Sequence, residues 1–218
     1  MRVKIITIIS TVMFLISSQL SAQDFGISAK VGTLGLTFEG ITSLNTDLNV
    51  RGGVSFFNYS YEGDKNTTDD YSFSADLKLS SISVLADWYL FGGTFLRLTG
   101  GALINLNKVS AKAAPTKTYF VGGDEYTPDK LGKLNIDISF QKFSPYIGIG
   151  FGNPLDGPSG LAFTVDIGSA YQGAPKTDLS ANGLLEPSAA PDQEKQLESN
   201  LNWFKWWPVV TLGFTYEF

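Results

Sequence analysis

Apolar residues recur at every second position through almost the whole chain, and that period admits strands rather than helices. The stretch "LNVRGGVSF" sets Leu48, Val50, Val54 and Phe56 against Asn49, Arg51 and Ser55. In "YSFSADLKL", Tyr71, Phe73, Ala75, Leu77 and Leu79 alternate with Ser72, Ser74, Asp76 and Lys78. "TFLRLTGGALINLN" and "LAFTVDIG" repeat the pattern, with Leu96, Leu98, Ile104, Phe163 and Ile167 opposite Arg97, Thr99, Asn105, Thr164 and Asp166. No apolar run of about 18 residues follows Ala22, so membrane-spanning helices are excluded. Two all-β classes remain. In a soluble sandwich the apolar face turns inward; in a membrane barrel it turns to lipid and polar side chains fill the interior.

Connector lengths separate the two. The connectors are "LNTD" (44–47), 62–70, "FGG" (91–93), 114–133, "NPLDGPS" (153–159) and 173–203. They alternate short and long, as in outer-membrane barrels with short periplasmic turns and long external loops. A Greek-key sandwich has no reason for this asymmetry. If both chain ends lie in the periplasm the strand count is even, which calls for one more turn before residue 44. The apolar phase does change there, from odd (Phe25, Ile27, Val31) to even (Leu34, Leu36, Phe38) across Gly32-Thr33. Either a tight external turn sits at that point or 24–43 is one long bulged strand. The first option predicts an eight-stranded antiparallel transmembrane β-barrel with strands near 24–31, 34–43, 48–61, 71–90, 94–112, 134–152, 160–179 and 205–218. One short helix is expected in the last loop, starting near Asp192 with Leu197, Leu201 and Phe204 on one stripe. Trp88, Tyr89, Phe91 and Phe95 near the "FGG" turn suit an interfacial girdle.

The first residues, "MRVKIITIISTVMFLISSQLSA", run from Arg2 and Lys4 through an apolar core to small residues ending at Ala22. That order is a secretory signal peptide, with Sec-dependent export and a mature domain of 23–218. Loss of Arg2 and Lys4 leaves 14 bases against 21 acids, a net charge of −7, which argues against nucleic acid as a partner. The chain has no Cys and no His. Disulfides, thiolate metal sites and a lipoprotein anchor are thereby excluded.

The C-terminus, "VTLGFTYEF", places Phe214, Tyr216 and Phe218 on one face with an aromatic last. It resembles the terminal strand read by the barrel-assembly machinery of Gram-negative bacteria. "RGGVSFFNYSY", "LADWYLFGGTFLRLTGG" and "SPYIGIGFG" are similar to stretches of small outer-membrane β-barrel proteins without an assigned activity. The resemblance implies location in the outer membrane of a Gram-negative bacterium, and it lends no catalytic residues. Its partners would be outer-membrane lipid, lipopolysaccharide and the assembly machinery, with the protein a monomer.

Eight strands leave an interior just wide enough for side chains. The inward set is Lys30, Glu39, Arg51, Asp76, Lys78, Asp87, Arg97, Asn105, Asp166 and Glu217, and within it Glu39, Arg51, Asp87, Arg97 and Asp166 form the expected charge network. Charges inside a barrel must be paired, so a closed structural or surface-interaction barrel is the leading function. The alternative is a narrow conduit for small hydrophobic molecules. An enzyme is opposed by the lack of His as general base, and no cofactor is expected. The acidic pairs Asp69-Asp70 and Asp124-Glu125 read as solvated loop residues. Oxygen ligands in "EGDKNTTDD" lack EF-hand spacing, so no metal site is assigned. On the outer rim, Lys108 and Lys112 share the even, outward phase of their strand. Lys142 extends the even phase of Ile138 and Phe140. The three are expected to cluster near lipopolysaccharide phosphates.

Overall fold

The computed structural model describes residues 24–63, 71–90, 95–155 and 160–218. The expected leader (1–22), most of the acidic loop 62–70 and the "FGG" turn lie outside the described residues. The fold is all-β and antiparallel. Its strands are β1 (Phe25–Gly32), β2 (Gly35–Asn45), β3 (Leu48–Glu62), β4 (Tyr71–Tyr89), β5 (Leu96–Asn105), β6 (Lys108–Pro115), β7 (Tyr119–Val121) and β8 (Asp124–Tyr126). They continue with β9 (Leu134–Ser139), β10 (Phe143–Phe151), β11 (Leu161–Tyr171), β12 (Lys176–Ala181) and β13 (Trp206–Glu217). A helix, Pro191–Leu201, lies in the last long connection, with Pro at its start and Asp192 and Glu194 in its first turn, as its dipole favours.

Hydrogen-bonded neighbours run from β4 through β3, β2, β1, β13, β11, β10 and β5 and return to β4. The region 24–43 is two strands. β1 and β2 pair from Phe25↔Thr42 to Gly32↔Gly35, so only Thr33 and Leu34 make the turn. The seam between the chain ends is β1 against β13, from Gly26↔Glu217 to Gly32↔Thr211.

Burial along these strands is the reverse of a soluble protein. On β13, Thr211 and Thr215 are buried while Val210, Leu212, Phe214 and Tyr216 are exposed. Among the described residues, twenty polar or charged side chains are buried against ten hydrophobic ones. A surface this apolar is stable only against lipid or a partner.

Three strands expected to be continuous, 94–112, 134–152 and 160–179, are each broken in two. Local hydrogen bonds account for the first break, and Gly173 (φ 71°) and Pro175 interrupt the third. The Asn107 amide donates to Asn105 Oδ1 at 2.9 Å, and Asn107 Oδ1 accepts from the Ser80 amide at 2.9 Å, so side chains replace ladder partners. Gln172, fully buried, then ties the breaks together. Its carbonyl accepts from the Gln141 amide, its Oε1 accepts from Asn105 Nδ2 at 3.3 Å, and its Nε2 donates to the Phe204 carbonyl at 3.2 Å. Beyond this waist β6, β9 and β12 add to the outer half of β4, giving the order β3-β4-β6-β9-β12. This outer sheet is a one-sided crown. β1, β2 and β13 take no part in it.

Candidate functional site

At the centre of the closed ring six charges meet. Lys30 lies on β1, Glu39 on β2, Arg51 on β3, Asp87 on β4, Arg97 on β5 and Asp166 on β11, each at an inward register position. Lys30 Nζ sits 2.7 Å from Glu39 and 2.9 Å from Asp166. Arg51 reaches Glu39 at 3.1 Å, Asp87 at 3.1 Å and Asp166 at 3.0 Å. Arg97 reaches Asp166 at 2.6 Å and Asp87 at 3.5 Å. Both arginine Nε atoms converge on the same Asp87 oxygen, off the hydrogen-bond direction, so that contact is Coulombic. Thr99 Oγ1 donates to the other Asp87 oxygen at 2.6 Å, and Arg97 donates to the Gly152 carbonyl. Space for Arg97 comes from Gly150, where a Cβ would stand 2.5 Å from the guanidinium.

Three cations face three anions, so the buried set is neutral. The structure brings the five expected network residues together and adds Lys30, which the same inward parity had picked out. Toward the waist the lumen is filled by Leu85, Leu103, Tyr146, Ala170 and Val209. The voids between these layers measure about 20 and 10 Å³, room for about one water each.

Other expected inward residues lie elsewhere. Asp76 and Lys78 are exposed on the crown, because β4 continues well past the lumen and their positions share the outward face. Tyr89 points inward instead of joining the girdle: it is buried, and its hydroxyl accepts from Asn49 Nδ2 at 3.1 Å. Trp88 is exposed as a girdle residue should be.

Crown register corrects the lysine cluster. Lys108 and Lys112 lie on β6 in the same alternate phase as Leu98 and Ile104, and are exposed. Lys142 does not join them. It falls in the break between β9 and β10, and the phase assumed for it is inverted: Ile136 and Ile138 share the face of Ala111 and Val109, whereas Asn135 and Asp137 lie beside Lys112 and Ser110. The physical reason is that apolar side chains turn outward only where lipid is outside. In the crown the surroundings outside are polar, and the rule reverses. Lys108 pairs with Asp137 at 3.1 Å. The Ser110 hydroxyl, donating at 2.5 Å, and the neighbouring Lys108 hold the Asp137 carboxyl below the usual aspartate value.

The far end of the crown carries an apolar cavity of about 570 Å³ lined by Tyr71, Pro115, Tyr126, Leu131, Leu134 and Leu184, among others. Sequence reasoning missed both this cavity and the role of Glu194 and Glu198. Their carboxylates accept the amides of Leu179 and Thr177 at 2.9 and 3.0 Å along the free edge of β12. The one available signal was two acids four residues apart on a helix with little apolar character.

At the C-terminus, Phe214, Tyr216 and Phe218 share the outward face and are exposed. Phe218 stacks on Phe25, centroids 6.1 Å apart, and its amide donates to the Phe25 carbonyl at 3.0 Å. Asp124 and Glu125 lie on the exposed hairpin strand β8.

A ring of strands, apolar outside and ionic within, defines the class of the outer-membrane β-barrel fold, and solved structures place the chain beside such proteins. Acinetobacter baumannii CarO2 superposes with a TM-score of 0.60 at 19% identity, over 89% of this chain and 98% of that one. Acinetobacter baumannii CarO gives 0.57 at 19% identity, over 88% and 97%. A major outer membrane protein from Thermus thermophilus gives 0.51 at 14% identity, over 90% and 100%. No protein-family model matches the chain, and no curated protein matches it.

Proposed function

We propose that the closed ring is an eight-stranded transmembrane barrel of a Gram-negative outer membrane, working as a sealed structural and surface-interaction protein. The chain reaches its site by Sec-dependent export, loss of residues 1–22 and insertion by the barrel-assembly machinery, and it acts as a monomer without enzymatic activity. One observation carries this reading. The neutral six-charge network crosses the lumen from six strands of the ring, and the two lumen voids described above hold about one water each. Breaking such a network to admit an ion would leave buried charges unpaired, which costs several kcal/mol. The test is single-channel recording of the refolded protein in planar bilayers. No unitary conductance steps are expected; steady steps of defined size would sink the sealed-barrel reading.

A second reading, handling of small hydrophobic molecules, has the crown cavity in its favour. Its lining is almost wholly apolar. The filled lumen beneath offers no described path onward, so the cavity supports capture at the surface better than transport through the wall.

A further inference from the structure

The outward face of the crown is banded by charge, and the ladder fixes the bands. Val54, Ile82, Ile104 and Phe143 are register partners across four strands and all exposed, the upper part of the apolar belt. Further out on the same face, the register row is Asn58, Lys78, Lys108, Ser139 and Lys176. The next outward row is Ser60, Asp76, Ser110, Asp137 and Asp178. Three lysines therefore sit nearest the apolar belt, and three aspartates form a separate row above them. A merely solvated surface interleaves its signs. This one sorts them by register row.

Lys78 and Lys108 are direct cross-strand partners, an arrangement of like charges that destabilises a sheet unless an anion relieves it. Among the described residues Lys108 has Asp137 at 3.1 Å, while Lys78 forms no ion pair. Lys108 borders two depressions of about 410 and 370 Å³, the first shared with Lys112 and Asp137 and the second with Lys78 and Asp76. Because the strands tilt, both rows climb together, and on the two strands that carry both residues, β4 (Lys78, Asp76) and β12 (Lys176, Asp178), the lysine precedes the aspartate going outward from the belt.

We propose that Lys78, Lys108 and Lys176 form a binding row for the phosphates of lipopolysaccharide lipid A in the outer leaflet. The inference rests on the barrel reading, since only a membrane-embedded ring puts this row at the headgroups. It replaces a Lys108, Lys112 and Lys142 cluster: Lys112 lies two rows further out and Lys142 is off the face.

The experiment measures lipid binding by native mass spectrometry of the refolded full-length mature barrel released from detergent. The probes are bisphosphorylated lipid A, lipid A stripped of phosphate, and inorganic phosphate. The proteins are the parent, Lys78→Ser/Lys108→Ser/Lys176→Ser, the charge-retaining Lys78→Arg/Lys108→Arg/Lys176→Arg, and Lys142→Ser. Each is first checked for insertion into vesicles by its heat-dependent electrophoretic shift. The parent, the arginine variant and Lys142→Ser should bind bisphosphorylated lipid A alike, and the serine variant at least about tenfold more weakly. Phosphate-free lipid A should bind all four equally weakly, and free phosphate none. Insertion of all four with equal lipid A affinity overturns the row alone. So does an equal loss in Lys142→Ser, or parent binding that ignores the phosphates. Failure of every protein to insert overturns the barrel reading and the row with it.

Discussion

Asp166 is the most connected residue in the lumen, within 3.0 Å of Lys30, Arg51 and Arg97 and 3.4 Å from Thr211 Oγ1. Replacing it with Ala leaves three buried cations facing two anions, which should cost about 3–5 kcal/mol. Asp178→Ala on the exposed crown face should change stability by less than about 1 kcal/mol. Reversible urea unfolding in lipid vesicles compares the two, and equal midpoints would deny the network a role in stability. Asp166, Arg97 and Arg51 were legible as lumen residues because strand parity alone decides which side chains point in. What parity could not supply is the pairing. Which acid meets which base depends on shear and register, which place residues far apart in sequence at one level. Gly150 shows the same limit, since its lack of a side chain matters only because Arg97 lies across from it.

At the scale of single elements, parity failed where its premise did. The stretch "LNIDIS" alternates cleanly, but Ile136 and Ile138 face the crown's inner side, opposite to the sense that holds next to lipid. Hydropathy period gives the two faces of a strand and leaves the medium beyond each face unstated. The break near 106 was hidden, because it comes from asparagine side chains capturing backbone groups, whereas the break at 172–175 carries Gly173, at φ 71°, and Pro175. The crown's exposed limit, β12, is an edge strand, and unpaired edges recruit other chains. Here Glu194 and Glu198 from the helix Pro191–Leu201 take the free amides of Leu179 and Thr177. In Glu194→Ala/Glu198→Ala, amide hydrogen exchange at Thr177 and Leu179 should quicken by about tenfold or more, since each loses a charge-assisted bond of about 1.5–3 kcal/mol. Exchange at Thr164, deep in the ring, should not change. Unaltered rates at Thr177 and Leu179 would mean the carboxylates do not guard the edge.

For the molecule as a whole, the decisive joint is the seam where the first and last strands meet, because a ring of strands has no edge only once that seam closes. Seven register pairs from Gly26↔Glu217 to Gly32↔Thr211 make it, and Phe218 extends it through its amide bond to the Phe25 carbonyl. Two uses can be told apart for the terminal aromatic: the packing against Phe25 that the structure shows, and the proposed display of its exposed ring as a mark for assembly. The two predict different outcomes. Packing alone would make Phe25→Ala and deletion of Phe218 equally harmful everywhere. With a recognition role, both variants should refold from urea in vitro with small, similar losses of about 1 kcal/mol, while in cells deletion of Phe218 alone should strip most heat-modifiable barrel from the outer membrane. Trp203→Ala, which removes another highly exposed aromatic from the last long connection, serves as the control and should assemble normally. Equal yields in cells for the Phe25 and Phe218 variants would reduce the terminal residue to a packing group.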